Sequence, residues 1–509
     1  MPRPLRSVFA AACALAAWLL PLSGQEPSVS RKALLADLAG MQGVDRGFRG
    51  DVRPRTGTVG REASRRNEPY VGGRVLVKWR AGREADVREL TRDGIPARSA
   101  HRPDHADFTV LRIAEDANPE DVARRLSTRN DVVYAQPAYR VRTRLTPNDP
   151  RYAAQWNLPA IDMERAWDIN GGGTSNTIVA VLDTGVAYRG GLFRYTARAF
   201  RFGGVNFPAL GPIDVSFALA PDLGPPDRFV SPRDFIWDDE LPFDLDGHGT
   251  HVAGTLGQAT NNSIGVAGVA FNVKIMPVKV IDGEWDFIFD APEEGTDETV
   301  ALGIRYAADN GARVINMSIG RTGSPGPVVE DALRYAVSRG AFVVIAGGNT
   351  GDEGNDVEVF AQMASRIPGA VSVAAVGRNL ERASYSTTGD FIELAAPGGN
   401  TAQGGSSAGI LQQTLDDDFV FTFERGPSRY GAPRFDVFGE FFFQGTSMAA
   451  PHVSGLAALL YEQGVTSPAA IEAALVKFAV DKGSPGRDAE FGHGLIHARN
   501  TLRGLGLAR

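Results

Sequence analysis

Cysteine is almost absent from this chain: of 509 residues, only position 13 carries one. Cys13 falls inside the apolar run 8–20, behind Arg3 and Arg6 and ahead of Pro21-Leu22-Ser23-Gly24. A positive start, a short apolar stretch and small residues after it make a secretory signal, expected as residues 1–24. The run is too short to span a bilayer comfortably, which disfavours an uncleaved anchor. Cys13 also lacks the larger apolar neighbour and the length of preceding signal that lipid attachment needs. The exported chain then has no disulfide, so core burial and any bound metal must stabilise it outside the cell. Excess positive charge is missing as well. The net charge of -7 gives no reason to expect nucleic acid, or a membrane after signal removal, as partner. Solenoid-like repeats are absent too.

What is present belongs to a globular protein. Apolar residues make up 43% and charged residues 22%, and the length implies two or three folded units. Residues 25–69 are Arg- and Gly-rich with weak periodicity and read as a spacer. A small unit follows at 70–142. Residues 73–79 alternate like a half-buried strand, 85–92 look helical and 108–113 form a second strand. Asn118-Pro119-Glu120 opens a helix to about 127, and 132–137 is a further strand.

From about residue 148 to 505 the pattern changes. Continuous apolar runs at 177–182, 273–280, 314–318, 342–346, 371–376 and 391–395 alternate with helical stretches such as 299–310 and 328–339. Runs of this kind are parallel strands buried on both faces of a layered α/β domain. Polar residues sit at their ends: Asp183, Ser318 and Asn349. Parallel α/β sheets bind ligands at the carboxyl ends of their strands, so three segments point at one edge.

Three strings concentrate the reactive side chains. Val181-Leu182-Asp183-Thr184-Gly185 ends a buried strand on a carboxylate, although Asp before Gly is also a common turn former. Asp246-Gly247-His248-Gly249-Thr250-His251 sets a sterically open His ahead of small residues. A structural His or a metal pair fits that spacing too, but no HExxH pattern supports metal. Gly445-Thr446-Ser447-Met448-Ala449-Ala450-Pro451 puts Ser447 near a helix start, where free N–H groups face a developing anion. Pro451 breaks helix propensity, a local violation expected at functional sites. A capping role explains Ser447 but not the whole string. Gly405-Ser406-Ser407-Ala408-Gly409 fits the esterase pattern G-x-S-x-G, yet it lies in a Gly/Ser-rich loop and not between strand and helix.

In order and in content the three strings resemble the subtilases, the subtilisin-like serine peptidases. The resemblance runs from about residue 148 to 502 and includes the closing Gly492-His493-Gly494-Leu495-Ile496-His497-Ala498. Residues 73–79 and 132–140 resemble the family's inhibitory propeptide. A three-layer α/β domain with a central, mostly parallel sheet is implied at 148–505, behind a small α+β propeptide at 70–142. The implied function is a secreted serine endopeptidase that hydrolyses extended protein or peptide substrates through an acyl-enzyme. It would be made as a self-processing zymogen bound to its own propeptide. Ser447 would be the nucleophile, His248 and not His251 its base, and Asp183 the group that orients His248. Asn349, in Ala346-Gly347-Gly348-Asn349, would donate to the oxyanion. Ser318, Ile319 and Gly320 would pair with substrate, and with Ala346, Gly347 and Gly348 they would wall a pocket floored within 359–368.

Structural calcium is also implied by the resemblance. Its ligands would be the Asn262 side chain and the carbonyls of Thr260, Ile264 and Val266, with Asp149 reaching in. The aspartate that the family supplies after Asp183 is not apparent. Asp234 and Asp239 resemble a second calcium loop less well, because Trp237 stands where a carboxylate is expected. Residues 412–443 are an aromatic-rich insertion, expected as a hairpin near the cleft. The rival readings are a peptide-binding protein on an inactive scaffold and, more weakly, a secreted esterase; intact Asp183, His248, Asn349 and Ser447 argue against the first. A monomer is expected. As a base, His248 predicts activity lost on acidification, with a midpoint within about one unit of 6.5.

Overall fold

This computed structural model describes residues 70–80, 83, 85–139 and 145–504. The expected signal at 1–24 and the spacer up to residue 69 lie outside the described residues. The first described segment is a four-stranded antiparallel sheet built from Tyr70–Trp79, Ala97–His101, Thr109–Ile113 and Val132–Tyr139. Its inward residues Val75, Val77, Leu111 and Ile113 pack on Leu90, Val122 and Leu126 from helices Val87–Arg92 and Pro119–Ser127. Both helices start on side-chain caps: Asp86 accepts from Glu89 N, and Asn118 accepts from Glu120 N with Pro119 following. Strand Ala97–His101 gave no signal in the sequence because four of its five residues are exposed.

The large sheet has seven parallel strands: β1 (Ile178–Asp183), β2 (Arg233–Asp234), β3 (Lys274–Lys279), β4 (Val314–Met317), β5 (Phe342–Ala346), β6 (Ala370–Val376) and β7 (Leu394–Pro397). Their spatial order is β2-β3-β1-β4-β5-β6-β7. β4, β5 and β6 are buried along their whole length, which is why they read as largely apolar runs, interrupted only by Asn316 and Ser372. Four helices frame the sheet: α1 (His248–Gly257), α2 (Asp297–Asp309), α3 (Pro327–Ser338) and α4 (Thr446–Glu462). α2 packs on α3 and α1 on α4, completing the three-layer α/β arrangement. The last strand begins at Leu394 and not at Phe391; Phe391 and Ile392 are buried ahead of it.

Two additions surround the edge that carries Asp183. Gly191–Ala197 pairs antiparallel with Leu210–Phe217, and Arg434–Phe435 adds to the latter in parallel. A short hairpin between them turns on Gly203 and Gly204, at φ 57 and 84, the left-handed conformation a tight hairpin turn requires. The insertion at 412–443 does contain a hairpin, Ile410–Leu415 with Phe438–Phe443. Aromatic contacts join the two additions: Phe217 stacks on Phe243 and Phe435, and Phe423 lies against Phe200, Phe202 and Trp285.

Beside Asp183 the core contains a charge. Lys279 pairs in register with Asp183 and is 0% exposed. Its Nζ donates to Asp286 (2.8 Å), to the Thr184 carbonyl (2.9 Å) and to the Phe243 carbonyl (3.1 Å). A buried charge of this kind is tolerated only when fully paired. Lys279→Met is therefore expected to lower the free energy of unfolding by about 3–5 kcal/mol, because Asp286 is left charged and buried. Adding Asp286→Leu should restore most of the loss. Denaturant titration of the three proteins checks this, and an unchanged midpoint in the single variant would contradict it.

Candidate active site

β1 is apolar until its last residue, Asp183, which is 0% exposed. A desolvated carboxylate needs hydrogen bonds. Its Oδ1 accepts from Thr184 N at 2.8 Å and meets His248 Nδ1 at 2.7 Å. His248 opens α1, and the glycines on either side of it have separate tasks. Gly247 turns the chain at φ 109. Gly249 lets the helix approach, since a Cβ there would stand 2.1 Å from the Gly185 carbonyl oxygen.

Asp244 escaped the sequence reading. It accepts from Gly247 N (2.8 Å), Thr250 N (2.9 Å) and the hydroxyls of Thr184 (2.9 Å) and Thr250 (2.6 Å). The residue after Asp183 is thereby clamped to the start of α1. An acidic residue just ahead of a helix is a capping signal, and that was the clue available. Desolvation pulls the His248 pKa down, but the Asp183 charge and hydrogen bond, with Asp246 and Asp244 beyond, push it up to about 9. Burial, then the Asp244 charge, raise Asp246 to about 6. His251 is placed differently. It is buried, its Nε2 faces the carbonyls of Ile410 (3.0 Å) and Phe441 (3.2 Å), and its ring stacks on Phe443. Burial lowers its pKa to about 3, so it stays neutral.

Ser447 is the second residue of α4. Its N–H has no acceptor among the described residues, as the first turn of a helix leaves it. Its hydroxyl donates to the Ser318 carbonyl at 3.0 Å, and the Ser318 hydroxyl donates back to the Ser447 carbonyl at 2.7 Å. Asn316 Nδ2 donates to the Ser318 hydroxyl and Ser454 donates to Asn316 Oδ1, a buried polar relay that joins β4 to α4. Asn349 Oδ1 accepts from both Thr446 N and Thr446 Oγ1 at 2.9 Å. That fixes its carbonyl side and leaves Nδ2 beside Gly445, where an added Cβ would stand 3.6 Å from both Nδ2 and Ser447 N. Carboxylate, imidazole, hydroxyl and two N–H donors thus stand at the carboxyl edge of the sheet. This is the set of groups that proton transfer from a serine and stabilisation of an oxyanion require.

Ser318, Ile319 and Gly320 follow β4, and Gly347 and Gly348 follow Ala346 at the end of β5. The side chain between the two segments is Glu358, one residue ahead of the range in which a pocket floor was expected. A Cβ on Gly320 would meet Glu358 Oε1 at 2.3 Å, and one on Gly348 would meet Glu358 Cβ at 3.0 Å. Glu358 caps helix Val359–Ala364 and accepts from Arg321 N, Phe360 N and Ala361 N. Burial pushes it up to about 7.

At the loop 260–266, Asp149 accepts from Asn261 N (2.7 Å) and Asn262 N (3.3 Å). Asp222, 0% exposed, faces this loop: it accepts from Asn262 Nδ2 (2.7 Å) and Val266 N (3.0 Å). Asp222 is the acidic group that the sequence did not reveal, because the strands at 191–217 separate it from Asp183. The carbonyls of Thr260, Ile264 and Val266 accept no hydrogen bond among the described residues. Buried carboxylates with free carbonyls fit a hard cation. As placed, Asn262 turns its nitrogen to Asp222 and its oxygen to Ile264 N. No cluster of three or more His, Cys, Asp or Glu side chains suited to a metal occurs among the described residues. Asp234 serves a turn: its Oδ1 accepts from Ile236 N and Trp237 N, and its backbone pairs with Asp239.

The subtilase family model matches residues 174–494, and the model of the fervidolysin N-terminal prodomain matches residues 56–138. A thermophilic serine proteinase of Bacillus sp. (strain AK1) is 31% identical over 85% of this chain and 88% of its own length. Thermitase of Thermoactinomyces vulgaris is 32% identical over 63% of this chain and 86% of its own. Among solved structures, a protease from Pseudoalteromonas arctica PAMC 21717 superposes with a TM-score of 0.53 at 30% identity, covering 71% of this chain and 99% of that one. The chain belongs to the subtilase family and is a subtilisin-like serine protease with a propeptide domain.

Proposed function

We propose that the chain is a secreted, self-processing endopeptidase in which Asp183, His248 and Ser447 act as one catalytic unit. The observation that carries the reading is the 2.7 Å contact between the buried Asp183 carboxylate and His248 Nδ1. Nδ1 is thereby held as the donor, and Nε2 is left to take a proton. The Ser447 hydroxyl turns from the Ser318 carbonyl toward His248 Nε2, gives up its proton and attacks the substrate carbonyl. The oxyanion receives hydrogen bonds from Ser447 N–H and Asn349 Nδ2. His248 then protonates the leaving amine, and water releases the acyl group by the reverse path. Ser318–Gly320 and Ala346–Gly348 align an extended substrate, and its side chain enters the crevice beside Glu358. The propeptide unit at 70–142 is the first substrate, cut between about 141 and 148, and residues 1–24 direct export.

A base must be neutral to accept a proton, so activity appears as pH rises through the His248 pKa. The carboxylates around His248 move that midpoint above the value near 6.5 that the residue type alone gives, toward about 9. Casein hydrolysis followed against pH, on protein shown to stay folded, should therefore rise through the alkaline range. Asp246→Asn removes one negative charge beside the imidazole and should lower the midpoint by about one unit. Ser447→Ala should be inactive at every pH and keep its propeptide attached. Activity that stays flat from neutral to strongly acid pH, or a midpoint that Asp246→Asn leaves in place, contradicts the assignment. Hydrolysis of a short ester without any hydrolysis of casein would favour the esterase instead.

Calcium is the cation we propose for the loop 260–266, held by Asp222, Asp149, Asn262 and the carbonyls of Thr260, Ile264 and Val266. Bound there, it supplies positive charge that ties the loop to the start of the domain. Because it binds only the folded state, it stabilises by mass action and contributes little to turnover. Chelation should lower the Tm of the wild type, and Asp222→Asn should abolish that response. A Tm that chelator leaves unchanged in the wild type shows that the loop holds no cation.

A further inference from the structure

The segments Ser318–Gly320 and Ala346–Gly348 have one of the protein's own side chains between them. A Cβ added to Gly320 would stand 2.5 Å from Glu358 Cδ and 2.8 Å from its Cγ, and closer still to Oε1. One added to Gly348 would stand 3.0 Å from Glu358 Cβ and 2.7 Å from Thr387 Oγ1. A glycine on each segment therefore meets the same glutamate, one near its β-carbon and the other near its carboxylate. Thr387, 0% exposed, fills the space next to Gly348. The two glycines are thus spent on making room for Glu358, and do not by themselves open a pocket.

Glu358 is also held in place. Its Oε1 accepts from Arg321 N at 2.7 Å and Phe360 N at 3.2 Å, and its Oε2 accepts from Ala361 N at 2.6 Å. Val359 N donates back to the Arg321 carbonyl at 2.9 Å. The Arg321 guanidinium in turn grips both oxygens of Asp297, at 2.6 and 2.7 Å. The glutamate is therefore bridged to the segment that follows β4 and cannot swing aside without breaking several bonds. Both of its oxygens are engaged by backbone N–H groups and the residue is 5% exposed, so what it offers an incoming side chain is volume and not a free charge. Forcing a large group into a close-packed site of this kind is strained.

We propose that Glu358 sets the side-chain preference of the cleft: it fills the depth between the two segments, so the protease cuts after small residues such as alanine, glycine and serine and rejects aromatic and long basic ones there. The proposal rests on the reading that the cleft holds an extended polypeptide between these segments. Succinyl-Ala-Ala-Pro-Ala-p-nitroanilide is compared with the peptides that end in Phe and in Lys. Each ratio of kcat/KM is taken on one protein, so a partly unfolded preparation does not alter it. The wild type should favour Ala over Phe and over Lys by at least about tenfold. Glu358→Ser keeps a capping oxygen for the helix and removes the volume, so its Phe-to-Ala ratio should rise at least about tenfold. Glu358→Gln removes the charge and keeps the volume, and should leave the ratios within about twofold. A wild type that prefers Phe, or a ratio that Glu358→Ser leaves in place, overturns the proposal. A preference for Lys that Glu358→Gln abolishes overturns it too, since the carboxylate then acts by charge. If neither variant folds, casein digested by the wild type still decides, by mapping of the cut sites. Cuts mainly after small residues support the proposal, whereas cuts mainly after Phe or Lys overturn it and leave the endopeptidase reading intact. A wild type that cuts neither casein nor any of the peptides overturns that reading and the proposal with it.

Discussion

A carboxylate buried at the end of a parallel strand is the constraint on which the site depends. Asp183 has lost its water, and the protein returns only part of what hydration supplied: the Thr184 N–H and the His248 ring. Its second oxygen has no partner among the described residues. The carboxylate therefore favours a positive charge on its neighbour, and that preference appears in the raised His248 pKa. An imidazole held this way is oriented, fixed in tautomer and stabilised in the charged form that proton transfer creates. The sheet supplies the rigidity. A residue at the end of a strand with neighbours on both sides cannot drift, whereas the same Asp on a surface turn would be hydrated and mobile.

The two segments that come to meet Asp183 are held by polar groups that take no part in chemistry. Asp244 binds the loop after Asp183 to the first turn of α1. On the other flank, Gln155 and Gln412 both donate to the Ala267 carbonyl, and Gln413 accepts from Asp222 N. Strand Ile410–Leu415 thus reaches the loop 260–266 from one side and α1 from the other, since His251 faces the Ile410 carbonyl. The same hairpin returns through Phe443, three residues before Thr446. The insertion expected as a hairpin near the cleft is a brace between the base, the loop and the nucleophile.

Legibility in the sequence followed burial pattern. β4, β5 and β6 are buried on both faces and mostly apolar, so their runs marked them. The strings around Asp183, His248 and Ser447 stood out because close packing demands small residues there, Gly249 against Gly185 and Gly455 against Val269; the choice of His248 over His251 and the role of Asn349 came from the resemblance to the subtilases. Asp222 and Asp244 did not stand out. Each is one acid among many in a loop, and its meaning comes from backbone N–H groups that no spacing rule identifies. The two-residue strand Arg233–Asp234 and the exposed strand Ala97–His101 carry too little apolar content to be seen. Glu358 lay one residue outside the expected range because its role as a helix cap, and not its side-chain class, sets its position.

The central claim is that Ser447 is made nucleophilic by a buried acid acting through His248. Reaction with a fluorophosphonate, followed by peptide mapping, tests it most directly because it asks for the nucleophile alone. The account predicts a single adduct on Ser447 in the wild type, with labelling lost almost entirely in His248→Ala and strongly slowed in Asp183→Asn. An adduct on another residue, or undiminished labelling of Ser447 in His248→Ala, would contradict it.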